Sequence, residues 1–292
     1  MKSVPGTGAL GVQADRINMT LRLAILADVH GNLPAFEAAL KHALQQKPDL
    51  IVLAGDIING SPDSAACWQL AQSLNCPMLR GNHERYAAHY GTTKASPDWV
   101  NERFAPLHWT VAHLTDADRA SMEALPHHLR LAEAPGLLLV HASLRDDHDT
   151  VEAHTTEERL NAMFPNVAER LIVRGHNHHS RVRLWEKGTI VTTGSVGLPL
   201  DGDPEAQYLL LDQGETGWRI LHQLVPYNLE AAIQRFFTTG YLEAAGPVGR
   251  LYLREVATAS YAIVPFLRTY ERWSKIMPLS LSQGVERFLN QY

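Results

Sequence analysis

The sequence is poor in cysteine, in surplus basic charge and in long apolar runs, and each shortage closes off a class of protein. Its only cysteines, Cys67 and Cys76, stand in no CxxC or other metal-ligand spacing. Neither a disulfide scaffold nor a thiolate metal site is expected, and so few thiols in 292 residues point to a reducing compartment. Lys and Arg number 26 against 31 Asp and Glu, a formal charge of -5, which gives no net positive field to draw the chain onto nucleic acid or anionic lipid. No stretch reaches the roughly 18 apolar residues of a membrane span, and residues 1–20 lack a secretory core. Internal repeats and low-complexity tracts are absent as well. The expectation is a soluble, cytoplasmic protein acting on a small substrate, with neither membrane nor nucleic acid as partner.

What is plentiful is hydrophobic residues, at 45%, and histidine, at 15 positions. The first suffices for a sizeable core, and the length suggests a catalytic domain with an appendage. Residues 1–20 mix Gly, Pro and polar side chains without periodicity and read as a loose leader, with Met19 a candidate start. From residue 21, short apolar runs alternate with helical spacing: strands at 21–27, 50–54 and 77–79, helices at 35–44 and 65–74. A mainly helical stretch follows over 95–131, then apolar runs at 137–140 and 171–173, then strands at 182–184, 189–193, 208–211 and 218–223. Beyond 227 the spacing turns helical over 229–237, over 248–275 with a kink at Pro265, and over 280–291. These shifts define a catalytic domain over 21–225 and a helical C-terminal extension over 226–292.

Residues of metal-ligand type stand where the apolar runs stop. Asp28-Val29-His30 follows the first, Asp56 the second, Asn82-His83 the third, and His141 and His176-Asn177-His178 follow two later ones. Open α/β sheets bind ligands at the carboxyl ends of their strands, so these side chains can meet in one crevice. Residues two apart in extended backbone point the same way, which would aim both members of Asp28/His30 and of His176/His178 at one site. Gly55, Gly81 and Gly175 precede three of the clusters and permit sharp turns with close backbone approach. His42, His89, His108, His113, His127, His128, His148 and His154 lack such a setting and read as structural or solvated, although His148 and His154 lie in a charged segment suited to rim a pocket. Arg145 in that segment is a candidate phosphate contact.

Taken in order, Asp28-x-His30, Gly55-Asp56, Gly81-Asn82-His83-Glu84, His141 and Gly175-His176-x-His178 resemble the calcineurin-like metallophosphoesterase superfamily over about residues 21–224. Gly31-Asn32 and Gly194-Ser195-Val196-Gly197 resemble its small bacterial and archaeal phosphodiesterase-like branch. The resemblance implies an α/β fold, a four-layer α/β/β/α sandwich of two stacked mixed sheets. It implies two divalent transition-metal ions, one held by Asp28, His30, Asp56 and His178, the other by Asp56, Asn82, His141 and His176, with Asp56 bridging and a metal-bridging hydroxide as nucleophile. His83 would protonate the leaving oxygen or stabilise charge on the transferring phosphoryl group, with Glu84 orienting it and His179 at the surface or behind the ligands. Mixed imidazole and carboxylate ligation suits Mn or Fe, with Zn, Ni or Co as alternatives, better than Mg or Ca.

The stretch Asp56-Ile57-Ile58-Asn59-Gly60-Ser61 lacks the Asp-Arg-Gly typical of protein phosphatases and dinucleoside tetraphosphatases, whereas Arg80-Gly81-Asn82-His83-Glu84 is the form they favour. A phosphodiesterase acting on a small phosphoester or nucleotide-type substrate is expected, ahead of a dinucleoside polyphosphatase or a phosphoprotein phosphatase. From another class, the alternative is a metal-binding scaffold without turnover. Tyr252, Tyr261, Phe266, Tyr270 and Trp273 on the C-terminal helical segments would either pack onto the catalytic domain or dock a partner, including a second copy of the chain.

Overall fold

In the computed structural model, which describes residues 19–291, the first apolar run forms β1 (Met19–Leu26). The leader expected over 1–20 lies, up to residue 18, outside the described residues, and its last two positions already belong to this strand. Leu23, Ile25 and Ala27 enter one apolar layer, Ala24 and Leu26 another, the alternation imposed on a strand sandwiched between layers. Next comes α1 (Leu33–Gln45), capped by Asn32, whose side chain accepts from the Ala35 N–H at 3.3 Å, and buried along Ala35, Phe36, Ala39 and Ala43. β2 (Leu50–Leu53) pairs parallel with β1, and α2 (Ser64–Ser73) and α3 (Asn82–His89) follow. Residues 77–79, expected as a strand, contribute only a single bridge from Met78 to Leu53.

Two short 3-10 turns, Pro97–Val100 and Glu102–Phe104, lead into α4 (Ala105–Ala112) and α5 (Asp116–Ala124). The expected helical stretch then ends in a strand, β3 (His128–Leu129), too short to leave a periodic trace. After β4 (Leu137–Val140), α6 (Glu157–Met163) and β5 (Leu171–Arg174) come β6 (Ser180–Trp185), β7 (Gly188–Thr193), β8 (Ala206–Gly214) and β9 (Gly217–Val225). They build two mixed sheets, ordered β2-β1-β8-β9 and β3-β4-β5-β7-β6. Between the sheets Leu23, Ile25, Val52 and Leu209 meet Leu139, Val173 and Val191. Outside them, Phe36 and Trp68 of the helices pack on Leu26 and Leu53 of one sheet, and Leu160 and Met163 of α6 on Leu138 and Ile172 of the other. The result is the expected four-layer sandwich, each fully buried large apolar side chain contributing about 1.5–3 kcal/mol.

The chain closes with α7 (Leu229–Thr238), α8 (Tyr241–Thr258), α9 (Ile263–Ser274) and α10 (Leu281–Gln291). The helix expected over 248–275 is interrupted elsewhere than at Pro265. Helix α8 bends at Gly246 (φ 59°, ψ -151°), a conformation open essentially to glycine alone, and stops at Ala259 (φ 49°). Pro265 falls in the first turn of α9, where its missing N–H is no loss. The helices pack onto the sandwich: Phe236, Tyr241 and Val256 cluster with Leu198, and the Tyr241 hydroxyl donates to the Gly60 carbonyl. Arg235 pairs with Asp63 (Nε to Oδ2 2.9 Å). Among the described residues no helix is long and apolar enough to cross a membrane.

Candidate metal centre

The segments that follow β1 and β2 run side by side. The Asp28, His30 and Gly31 N–H groups donate to the Gly55, Asp56 and Ile57 carbonyls at 3.0 Å each. This zipper holds a backbone that is not extended. Asp28, His30, Asp56, His176 and His178 all adopt the left-handed conformation, with φ of 57°, 49°, 55°, 69° and 59°. This left-handed backbone corrects the expectation of extended pairs aimed one way: Asp28 and His30 reach one group, whereas His176 lies by Asn82 and His178 by His30 and Asp28. Each such conformation costs a non-glycine residue on the order of 1–3 kcal/mol and persists only where neighbours over-determine it. The close approach expected of the glycines is real at all three, a Cβ on Gly55 (φ 88°) falling 2.7 Å from the Gly81 nitrogen. A Cβ on Gly81 would lie 2.1 Å from Asp56 Oδ1, and one on Gly175 2.7 Å from Asp28 Oδ2.

Within this frame backbone N–H groups hold both aspartates, Asp56 by one oxygen and Asp28 by both, with Oδ1 the more loosely held at 3.2 Å. The His176 N–H donates to Asp28 Oδ2 at 2.9 Å, and the His83 N–H to Asp56 Oδ1 at 2.9 Å. Asp28 Oδ1 then lies 3.6 Å from His178 Nε2 and 3.9 Å from His30 Nε2. Asp56 Oδ2 lies 3.1 Å from His141 Nε2 and 3.8 Å from His30 Nε2. Asn82 Oδ1 stands 3.1 Å from both His141 Nε2 and His176 Nδ1. All seven residues predicted as ligands thus converge in two adjacent groups that share Asp56.

Carbonyls fix the tautomers. His30, His141 and His178 each direct Nδ1 at a main-chain oxygen, of Asn59 (2.8 Å), Ala54 (2.9 Å) and Leu198 (2.6 Å). A carbonyl only accepts, so Nδ1 carries the proton and Nε2 of the neutral ring is a bare lone pair. The Nε2 atoms of His30 and His178 face each other at 3.0 Å, lone pair against lone pair, and the Asn82 oxygen is ringed by further acceptors. Such a set fits a cation, and its nitrogen and oxygen donors without thiolate suit divalent transition metals. Electrostatics agree. Burial holds His30, His176 and His178 below the ordinary histidine range, in the neutral form that ligates. Burial also pushes the Asp28 carboxyl up to about 8, with His141 pulling in the opposite direction. His141, also buried, is raised to about 10, chiefly by the Asp56 carboxylate, and Asp56 is held well below the carboxylate range by His141 despite its own burial.

His83 sits at the edge of the cluster, with Nε2 3.9 Å from Asp56 Oδ2. Its Nδ1 accepts from the Asn59 amide at 2.7 Å, and the Asn59 oxygen accepts from Thr110. The ring proton is thereby assigned to Nε2, the nitrogen that faces the metal-type ligands, and burial draws the ring down to about 3, so it is neutral. Asn59 went unrecognised in the sequence although it serves two histidines; its only signal is the Asn-Gly pair, a turn signature. Glu84 does not orient His83. Its carboxylate accepts from the N–H groups of Asp56 (2.8 Å), Ile57 (2.7 Å) and Gly81 (2.9 Å), bracing the Asp56 loop against the start of α3, and burial with the nearby Asp56 charge raises it to about 7. Arg145 pairs with Asp149 (3.0 and 2.5 Å) on the exposed surface and does not line the cleft. His179 turns outward and stacks on Tyr261 of the loop before α9, with Nε2 2.9 Å from its hydroxyl. A second unforeseen residue is Arg174, fully buried, whose guanidinium ties the Ala142 and Asp149 carbonyls (2.6 Å each) to Asn177 beneath the His176–His178 loop.

The ordered ligand set is the signature of a known group. A model of the calcineurin-like phosphoesterase family matches residues 21–180. The chain belongs to that family. An uncharacterised protein of Methanocaldococcus jannaschii is 25% identical over 249 residues, 79% of this chain and 97% of its own length. A metallophosphoesterase from Sphaerobacter thermophilus shares 25% identity and superimposes with a TM-score of 0.63 over 82% of this chain and 98% of that one. A hypothetical protein from Pyrococcus horikoshii shares the fold, at a TM-score of 0.69 with 19% identity, over 82% of this chain and 99% of its own. As a calcineurin-like phosphoesterase the chain is a phosphoester hydrolase of a family that works with divalent metals, and its histidine and aspartate clusters are the places suited to hold them.

Proposed function

We propose that this calcineurin-like phosphoesterase is a phosphodiesterase using two divalent transition-metal ions, Mn or Fe foremost. Asp28, His30, Asp56 and His178 would hold one ion, and Asp56, Asn82, His141 and His176 the other. The observation that carries the reading is the shared Asp56 Oδ2, close to the Nε2 atoms of both His30 and His141. Bound there, the ions would activate water and neutralise charge on the phosphoryl oxygens. The protein groups do the rest. The backbone N–H groups of His83 and His176 orient the two carboxylates, and the carbonyls of Ala54, Asn59 and Leu198 engage Nδ1 of His141, His30 and His178, turning each Nε2 toward the site. His83 turns an N–H toward the reacting centre, able to hydrogen-bond the phosphoryl group or give its proton to the leaving oxygen. Diester over monoester is supported by the absence of an arginine after Asp56, where Ile57-Ile58-Asn59 leave no guanidinium to grip a dianion, and by the second histidine, His178, of the final pair.

The test is hydrolysis of bis-(p-nitrophenyl) phosphate beside p-nitrophenyl phosphate by purified protein, with Mn, with chelator, and with Asn82→Ala and His83→Ala. Metal-dependent diester cleavage, lowered about 100-fold or more by either substitution, supports the reading. A metal-loaded protein inert on both esters would leave a metal-binding scaffold without turnover.

A further inference from the structure

The cleft over the metal-type ligands, about 650 Å³, does not end at His83. A second cavity of about 320 Å³ continues from it, with His83, Tyr252 and Ile263 lining both. The two spaces differ in chemistry. The first is floored by His30, Asp56, His176 and His178; the second is walled by Phe104 and Leu107 on one side and by Leu251, Phe266 and Leu267 of the C-terminal helices on the other. At the surface of the second cavity stand Asp98 and Arg103, both exposed, and Arg103 makes no ion pair among the described residues. Apolar faces with one cationic and one anionic group at the rim match a flat, polar-edged heterocycle. The volume lies at the low end of the roughly 300–1,000 Å³ found for small-molecule pockets, enough for one such group and not for two. A phosphoserine side chain would leave it unfilled, and a polymer backbone would not enter it.

We propose that this cavity is the subsite for the nucleoside of a nucleoside phosphodiester, whose phosphorus lies on the ligand side of His83. The proposal rests on the phosphodiesterase reading above and deepens it. Hydrolysis adds the oxygen of one water to phosphorus and breaks one P–O bond, and the leaving oxygen takes up a proton. His83, bordering both spaces, stands where the two parts of such a substrate join. The aromatic side chains Tyr86, Phe104, Tyr252 and Phe266 line the cavity, and contact with aromatic rings is tolerant of base identity.

The experiment uses full-length Mn-loaded protein and two alkyl diesters, adenosine 5′-methylphosphate and propyl methyl phosphate, followed by phosphorus NMR, which also reports which bond is cut. The nucleoside ester is expected to react with a kcat/KM at least about 10-fold higher, since one base–aromatic stack alone contributes roughly that factor. Adenosine without phosphate should inhibit competitively. Leu107→Trp and Leu251→Trp, which put an indole into the cavity from opposite walls, should bring the ratio of the two esters toward one and abolish inhibition by adenosine. Equal rates on both esters with no inhibition of the unmodified protein by adenosine would overturn the proposal, a result that needs no variant to fold. If neither ester is cleaved the phosphodiesterase reading fails instead, and calorimetry of adenosine with the metal-loaded protein still decides whether the cavity binds a nucleoside.

Discussion

The floor and the roof of the cleft are built on opposite principles. The floor consists of loops at strand ends, polar, left-handed at five ligand positions and locked by backbone hydrogen bonds. The roof consists of the later helices, presenting Leu251, Tyr252, Ile263 and Phe266 in relaxed helical geometry. Rigidity is concentrated where atoms must be positioned to fractions of an ångström, and adaptable apolar surface where a substrate body is to be gripped. The floor should therefore fail abruptly when altered, the roof by degrees.

The sharpest break should come at the shared carboxylate. Asp56→Ala is expected to lower diester kcat/KM by about 1,000-fold or more and to remove bound Mn from both ligand groups, checked by elemental analysis beside the assay; retention of one full equivalent would mean that the two groups do not depend on Asp56 alike. A smaller loss is expected behind the floor. Asn59→Ala removes the donor to His83 Nδ1 and should cost about 10–100-fold, in kcat more than in KM, while bound metal stays near the unmodified level. An unchanged kcat would show that the tautomer of His83 does not matter to the reaction.

On the roof the effects should be graded. Arg268 borders the cleft and makes no ion pair among the described residues, so Arg268→Ala is expected to raise KM by up to about 10-fold and to flatten its dependence on salt, with kcat little altered. The mildest prediction concerns Glu255, whose carboxylate accepts from the Ala262 and Ile263 N–H groups at 2.8 Å each. Burial raises it from the ordinary 4.5 to about 7. Folding takes up a proton there, so its contribution is fully present below about pH 4.5 and is lost as pH rises through about 7. Glu255→Gln keeps an acceptor without the charge and should melt on the order of 2–4 °C higher than the unmodified protein at pH 8, with no gain at pH 4.5; a constant difference across that range would rule out the carboxylate as the cause.

This contrast also explains what the sequence disclosed. The ligands were legible because Asp28, Asp56, His141 and His176 interrupt apolar runs where a sheet ends, and few residue types do so without a chemical reason. The two stacked sheets were implied by the family resemblance, with which the order of those runs was compatible. Asn59 and Glu84 were harder: one acts through its carbonyl and amide together, the other through three backbone N–H groups, and backbone geometry leaves no mark on residue identity. Arg174 was visible as a charge closing an apolar run, yet its partners come from two separate loops. The roof was illegible for a plainer reason, since Leu251 or Phe266 on a helix looks the same whether it faces a core or a substrate.

The hydrogen bond from Tyr241 to the Gly60 carbonyl spans 181 residues of chain, and that separation has a meaning in time. A ribosome adding about 5–20 residues per second finishes the loop that carries Asp56 roughly 10–40 s before it delivers the side chain that clasps it. Only for its last part, the roughly 3–13 s between His178 and Tyr241 at that rate, does a nascent chain carry the whole ligand set with the apolar half of the cleft still unmade, so a chain released before α8 would be an incomplete enzyme.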